Sequence, residues 1–418
     1  MIDFPANPTV GEEFTDPASG ATWTWDGVKW TAAGLNVAYL PLRGGTMLGP
    51  LVLEADPTAP LEPVTLQMFD RYPMIGDSRI INGDMRIDQR NAGASGSGTS
   101  TYTIDRWYYS STQPAKGTWG RNVNAVASPP GFPYYWGFQS SSTYVLTATD
   151  NFFVRQYIEA DMVSDFAWGT PNAQPVTLSF WAYSNQTGTF SGSIVLVPAG
   201  TRSYPFQFSI PVANTWTKIT ITIPGDTAGA WSMSGSGASV GLLFNLGSGT
   251  NSLGPANVWA TAFYAGATGS VQVAATNAAT FYVTGVKLEI GTVATPYNRQ
   301  SLAKSMADCQ RYFEKSFSSA VGSPLALNTG EMFGISHNSS GIYRAEVPFK
   351  VTKRAAPTIL IYDNNGVAGN VSYYISTWAT GSPTWSVVPT GAIAGFYSGY
   401  ALAGVIETQF GWTASAEL

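Results

Sequence analysis

In TKITITIP, Ile219, Ile221 and Ile223 alternate with Lys218, Thr220 and Thr222, the two-residue period of a strand with one dry face and one wet face. Similar short apolar runs, bounded by Gly, Pro and Asn, recur at Pro175–Ser184, Gly192–Gly200, Tyr204–Val212, Trp216–Gly225 and Ala279–Gly291. Strands of this size, separated by turns over roughly 200 residues, predict two antiparallel sheets packed as a β-sandwich or jelly roll. One stretch has a helical period instead. From about Arg299 to Lys315 the apolar positions Leu302, Met306, Cys309 and Phe313 are spaced 4, 3 and 4. A seam this narrow suits contact with one or two equivalent helices, and packing on its own chain is the alternative.

Outside this middle region the pattern changes twice. Residues 1–34 read as a small β module: ATWTWDGVKWTAAG gives two aromatic strands around Asp26-Gly27, a dipeptide suited to a tight hairpin turn. Trp23 and Trp25 share a face that Trp30 meets across the pair, which predicts a small aromatic core. Residues 35–73 hold paired glycines and repeated prolines, the mark of an extended connector, with a short helix at Pro63–Arg71 (Val64, Met68, Arg71) that Pro73 ends. The sandwich domain is expected over 74–298, the helix over 299–320 and a second β domain over 321–418. In that last domain IYRAEVPFKV and APTILIYDNNG read as strands, and GSPTWSVVPTGAIAGFYSGYALAG as a loop-rich segment.

Composition agrees with an all-β chain: 44 Gly, 26 Pro and 13% aromatic residues accompany only 11% charged residues. A single cysteine, Cys309, forms no intrachain bridge, and one histidine excludes the His/Cys clusters of zinc sites. No cofactor or metal is implied. The opening residues lack a basic start and an apolar run, which predicts no secretory signal, and no uninterrupted apolar segment predicts membrane insertion. A net charge of -5 without a Lys/Arg block argues against nucleic acid and favours an uncharged, polyhydroxylated ligand.

Catalytic chemistry finds no motif. The carboxylate pairs Asp84 with Asp88 and Asp161 with Asp165 sit beside turn signals and basic neighbours, where local turn bonding or surface solvation explains them. His337 lacks a nucleophile motif, and the glycine-serine loops lack the Lys-Ser/Thr of a phosphate cradle. Sugar binding asks instead for aromatic faces with a few amides or carboxylates nearby. Trp107, Trp181 and Trp216 lie in or at regular strands and are expected in the core. The binding candidates flank glycine-rich loops: Trp231, Trp259 and Tyr264 in the sandwich, and Trp378, Trp385, Tyr397 and Tyr400 in the last domain.

YLPLRGGTMLGPLVLEADPTAPLEPVTLQMFD resembles a segment of bacteriophage tail fibres in which a Leu-Pro-Leu-x-Gly-Gly-Thr-Met-x-Gly-Pro-Leu core precedes Asp-Pro-Thr; it departs where Leu66, Gln67, Met68 and Phe69 replace the usual pattern. INGDMRIDQRNAG, YTIDRWYY, LSFWAYS, WTKITITIPGDTAGAW and VTGVKLEIGTVATPYNRQSLAKSMADCQRYFEK are similar to successive landmarks of a jelly-roll domain in such fibres, itself similar to carbohydrate-binding modules. TWTWDGVKW resembles small modules at the particle-proximal end. The resemblance implies an elongated homotrimer in the virion, assembled in the host bacterial cytoplasm. Its N-terminal region would join a tail, baseplate or collar protein, and its C-terminal head would contact a bacterial surface polysaccharide. Leu302, Met306, Cys309 and Phe313 would then be axial residues. A structural collar or head fibre with little receptor affinity, and a polysaccharide-depolymerising spike, are the alternatives.

Overall fold

The computed structural model describes residues 3–17, 20–32, 78–318, 332–335, 342–388, 395–401 and 407–418. The predicted connector, its Leu40–Leu51 core, the short helix at Pro63–Arg71 and His337 lie outside these residues. The chain divides into two compact units, Met1–Arg71 and Tyr72–Leu418.

In the first unit, β1 (Glu13–Thr15), β2 (Thr22–Trp25) and β3 (Trp30–Ala32) form one antiparallel sheet. Trp25 pairs with Trp30, and Phe4 stacks on Trp30 at 5.3 Å and meets Trp23 edge-on at 5.5 Å. The Asp26 carboxylate accepts the N–H groups of Val28 and Lys29, both at 2.8 Å, while Gly27 takes φ +100°. These bonds hold its carboxyl below the usual carboxylate range. The aromatic residues supply the little core this module has.

The second unit begins with a sandwich of two sheets. Its strands are β4 (Thr101–Ile104), β5 (Trp107–Ser111), β6 (Gly117–Arg121), β7 (Trp136–Ser140), β8 (Asn151–Glu159) and β9 (Val176–Tyr183), then β10 (Gly188–Leu196), β11 (Ser203–Ile210), β12 (Thr217–Ile223), β13 (Ala238–Ser248) and β16 (Thr280–Ile290). One six-stranded sheet runs β11-β10-β13-β8-β5-β4, and a five-stranded sheet runs β12-β9-β16-β7-β6. Every pairing within both is antiparallel. The two-residue strands β14 (Leu253–Gly254) and β15 (Gly266–Ala267) pair in parallel beside them. Between the sheets lie Trp107, Trp136, Phe138, Phe180, Phe244 and Phe281, all buried. Their polar atoms are satisfied: Trp136 Nε1 donates to Thr103 Oγ1 at 2.8 Å and Trp107 Nε1 to the Asn82 carbonyl at 3.1 Å. Before β4, residues 79–83 lie along β16, with the Arg79 N–H donating to the Leu288 carbonyl at 2.8 Å and Gly83 so close to the Val286 carbonyl that a Cβ would sit 2.1 Å from it.

Helix α1 spans Leu302–Gln310, shorter than the predicted Arg299–Lys315. Ser301 caps it by accepting the Lys304 N–H. After Arg311 the chain extends as β17 (Phe313–Lys315), so Phe313 belongs to a strand that pairs with Ser415. The predicted seam is therefore not one exposed stripe. Leu302 is 59% exposed and Met306 half-buried, whereas Cys309 and Phe313 are buried in their own chain.

The remaining strands are β18 (Met332–Ile335), β19 (Ile342–Pro348), β20 (Thr358–Tyr362), β21 (Val371–Tyr374), β22 (Trp378–Gly381), β23 (Thr384–Val388), β24 (Gly395–Ala401) and β25 (Glu407–Ser415). One sheet runs β17-β25-β21-β22, with β18 and β20 also pairing β25, and a second runs β19-β24-β23. The segment expected to be loop-rich thus contains two paired strands. Their Gly and Ser content reads as turns locally, but cross-strand hydrogen bonding overrides it. Ile359, Ile361, Val371, Phe410 and Trp412 form the core of this part. No helix among the described residues is long and apolar enough to cross a membrane.

Candidate functional site

On β21, Val371 points into the core, so Ser372 and Tyr374 point away from it. Tyr374 pairs with Trp378 on β22 and with Glu407 on β25; Ser372 pairs with Thr380 and Gln409. Directly opposed residues share a face, so Trp378, Tyr374 and Glu407 form one row and Thr380, Ser372 and Gln409 the next. Trp378 lies on the sheet edge, 47% exposed, with its ring centroid 5.5 Å from that of Tyr374. Beside this pair runs a polar ladder: Gln409 Nε2 donates to Glu407 Oε1 at 2.8 Å, and Asn364 Nδ2 donates to Gln409 Oε1 at 2.6 Å. The Asn364 N–H donates to Ser372 Oγ at 3.0 Å. Asp363 fixes the adjoining turn by accepting the N–H groups of Asn365 and Val367, each at 2.9 Å.

The arrangement offers an aromatic edge over which an apolar ring face can pack, next to amide and carboxylate groups spaced along one sheet face. Such a surface can hold a polyhydroxylated ring by stacking and hydroxyl bonding.

The other predicted aromatics are placed differently. Trp231 is buried, with its ring centroid 4.9 Å from Trp168 and 5.7 Å from Trp259. Its Nε1 donates to Asp226 Oδ2 at 2.9 Å. It closes one end of the core and offers no open face to a ligand. Trp259 is half-buried, packs 5.2 Å from Tyr204 and donates to the Pro224 carbonyl at 2.9 Å. Tyr264 lies over Gly254, whose added Cβ would come within 2.2 Å of the ring. Trp385 lies on β23 opposite Ser398, and on β24 Tyr397 pairs with Glu346 and Ser386, and Tyr400 with Tyr343. These three belong to a different sheet from Trp378. Of the residues expected in the core, Trp107 is fully buried, while Trp181 and Trp216 are half-buried on the outer side of the five-stranded sheet.

The paired acids have structural partners. Asp84 meets Arg86 Nε at 2.6 Å and Arg299 Nε at 3.4 Å. Asp88 accepts the N–H groups of Asn91 and Gly93 at 3.0 and 2.7 Å, although burial still pushes its carboxyl up. Asp161 accepts the Gly235 N–H, and Asp165 pairs with Arg79. Among the described residues no group of three or more His, Cys, Asp or Glu side chains is placed to hold a metal ion.

Sequence reasoning reached Trp378 but missed Tyr374, Glu407, Gln409 and Asn364. The alternation in VSYY and ETQF was the available signal for which of these residues point outward. Their meeting depends on register between segments about thirty residues apart.

Neither a protein-family model nor a curated protein matches the sequence. Among solved structures, the chain is similar to the enzymatically active domain of tailspike protein 4 of bacteriophage CBA120, at 15% identity and a TM-score of 0.27, over 51% of this chain and 21% of that one. It therefore spans about a fifth of that tailspike chain. It is also similar to a CBM4 module, at 12% identity and a TM-score of 0.26, over 49% of this chain and 99% of that one. A third likeness is to TmCBM61 in complex with β-1,4-galactotriose, at 10% identity and a TM-score of 0.25, over 52% of this chain and 100% of that one. The sandwich assignment itself rests on strand order and register, and from these observations the chain is an all-β protein built on an antiparallel β-sandwich with a further β region after its helix.

Proposed function

We propose that this chain is a virion fibre protein that adsorbs to a bacterial surface glycan without turning it over, acting as a homotrimer joined to the particle through its N-terminal unit. The observation that carries the reading is the solvent-facing pair Trp378 and Tyr374 beside the Glu407–Gln409–Asn364 ladder. A core has no use for a tryptophan left 47% exposed on an edge strand, whereas a pyranose ring does. The structural engagement of Asp84, Asp88, Asp161 and Asp165 supports a non-enzymatic role, because each is held by an arginine or by backbone N–H groups. Three copies of a weak site on one particle-bound fibre give firm attachment through effective concentration.

The test is a glycan array with the full chain, followed by assay of any bound polysaccharide for new reducing ends. Binding without release of ends is the expected result. Release of ends indicates a depolymerising spike, and absence of binding to any surface glycan indicates a structural fibre; either result overturns the reading.

A further inference from the structure

The outer face of the six-stranded sheet carries a second aromatic surface, remote in sequence from Trp378. Along β4, β5 and β8 the residues pointing away from the core are Tyr102, Tyr108, Arg155 and Tyr157, all half-buried. Register sets Tyr102 opposite Tyr108 and Tyr108 opposite Arg155, with Tyr157 two residues further along β8, so the four share one face. The Tyr102 and Tyr108 rings meet edge-on with centroids 5.0 Å apart. The Arg155 guanidinium lies 4.6 Å from the centroid of Tyr108 and 4.1 Å from that of Tyr157, whose hydroxyl accepts from Arg155 Nη1. On the other half of the sheet the face is roofed by the chain around residues 260–265: Ser203 Oγ donates to the Ala262 carbonyl at 2.7 Å, and Phe263 packs 6.5 Å from Phe153.

Arg155 differs from the other arginines whose side chains are described. Those meet a carboxylate, as Arg202 meets Asp226, or donate to backbone carbonyls, as Arg354 does. Among the described residues, Arg155 donates to the Tyr157 hydroxyl and makes no ion pair within 4.0 Å, while Tyr102 beside it donates to the Leu418 carbonyl at 2.8 Å and carries Arg90 4.8 Å from its ring centroid. Three rings, Tyr108, Tyr157 and, at 5.9 Å, Phe153, hold the guanidinium in place by cation–π contact, so little rotamer freedom remains to be lost when it binds. A planar donor fork fixed in this way matches a carboxylate bidentately, and the flanking tyrosines supply apolar area for the ring that bears it.

We propose that this row is a second saccharide site, selective for sugars carrying a carboxylate, the uronic acid class. It rests on the reading of the chain as a glycan binder but uses residues separate from the Trp378 surface, so the two fail independently. The experiment is calorimetric titration of the full chain with trigalacturonate, with neutral galactotriose and with inorganic phosphate. Trigalacturonate is expected to bind better than galactotriose, with affinity falling as salt rises. Arg155→Gln is expected to weaken it by at least about tenfold and Arg155→Lys by less, because a bidentate charge-assisted contact is what the first removes. Melting temperatures of both Arg155 variants should stay near the parent value, which separates lost binding from lost folding. Absence of trigalacturonate binding, or equal binding by Arg155→Gln, overturns the proposal. So does phosphate binding as tightly as trigalacturonate with no loss in Tyr108→Ala, since the site would then be a bare anion contact. Any of these results, with Trp378-dependent adsorption intact, leaves the proposed function standing.

Discussion

The guanidinium of Arg106, at the β4–β5 turn, lies 3.5 Å from the ring centroid of Tyr312, just beyond helix α1. The same arginine pairs with Glu417 and donates to the Tyr157 carbonyl at 2.6 Å, while the Tyr312 hydroxyl donates to Glu159, which also receives Arg311 at 2.7 and 2.8 Å. One buried charge network therefore ties the sandwich, the residues after the helix and the residues after β25. Arg106→Met removes the more buried partner of Glu417, which keeps Arg90 at 2.9 Å, and takes a donor from the Tyr157 carbonyl, so it is expected to cost about 1–3 kcal/mol. Differential scanning calorimetry should show one cooperative transition in the parent and a lower, broader or split one in the variant. An unchanged single transition would mean that the network does not join these parts.

The proposed homotrimer places Leu302 and Met306, the two seam residues that are not buried, against equivalent chains. Met306→Asp is expected to leave each chain folded, because its side chain is already half-buried only, and to shift the mass seen by light scattering from three chains to one. Cys309→Asp, at a fully buried position, should instead unfold the region around the helix. A Met306→Asp protein that keeps the mass of three chains removes this residue from the contact.

Asp105 accepts the N–H and the side-chain amide of Gln89, both at 2.6 Å, yet burial outweighs these bonds and the nearby Arg90 and pushes its carboxyl up to about 6 from an ordinary 3.8. Between those values the folded chain holds a proton that the unfolded chain has released. This group's contribution to stability therefore declines as pH climbs through that window. Lys315 has the opposite history: burial lowers it from 10.5 to about 8, so stability recovers from this group as pH rises between those two values. Urea titrations of the parent and of Asp105→Asn, compared by slope against pH from 4 to 6, should differ by the loss of the decline in the variant. Parallel slopes would show that Asp105 is ionised throughout.

How much of this was legible in sequence varied with burial. The alternation of Ile219, Ile221 and Ile223 was readable because β12 is an edge strand with one wet face. In the same sheet β16, which lies beyond β9, is buried on both faces, including Lys287 and Glu289, which pair at 3.0 Å, so no two-residue period marks its inner side. Phe313 fitted a helical spacing, but its pairing with Ser415 is a long-range contact that local periodicity cannot contain. Trp231 stood beside a glycine-serine loop and read as exposed; Trp168 and Trp259, brought in from other loops, bury it. Trp378 was found as an aromatic among small residues, whereas its polar neighbours required the register of β21 with β25.

The most direct test of glycan adsorption compares Trp378→Ala with Trp231→Ala in cell adsorption and in thermal melting. Trp378 is 47% exposed on an edge strand, and its removal is expected to reduce adsorption by about tenfold or more while moving the melting temperature little, since an aromatic stack on a sugar contributes on the order of 1 kcal/mol at each of several linked sites. Trp231 is buried, and truncating it is expected to cost about 3–5 kcal/mol of stability, with adsorption per folded molecule unchanged. Adsorption by Trp378→Ala equal to that of the parent would contradict the account.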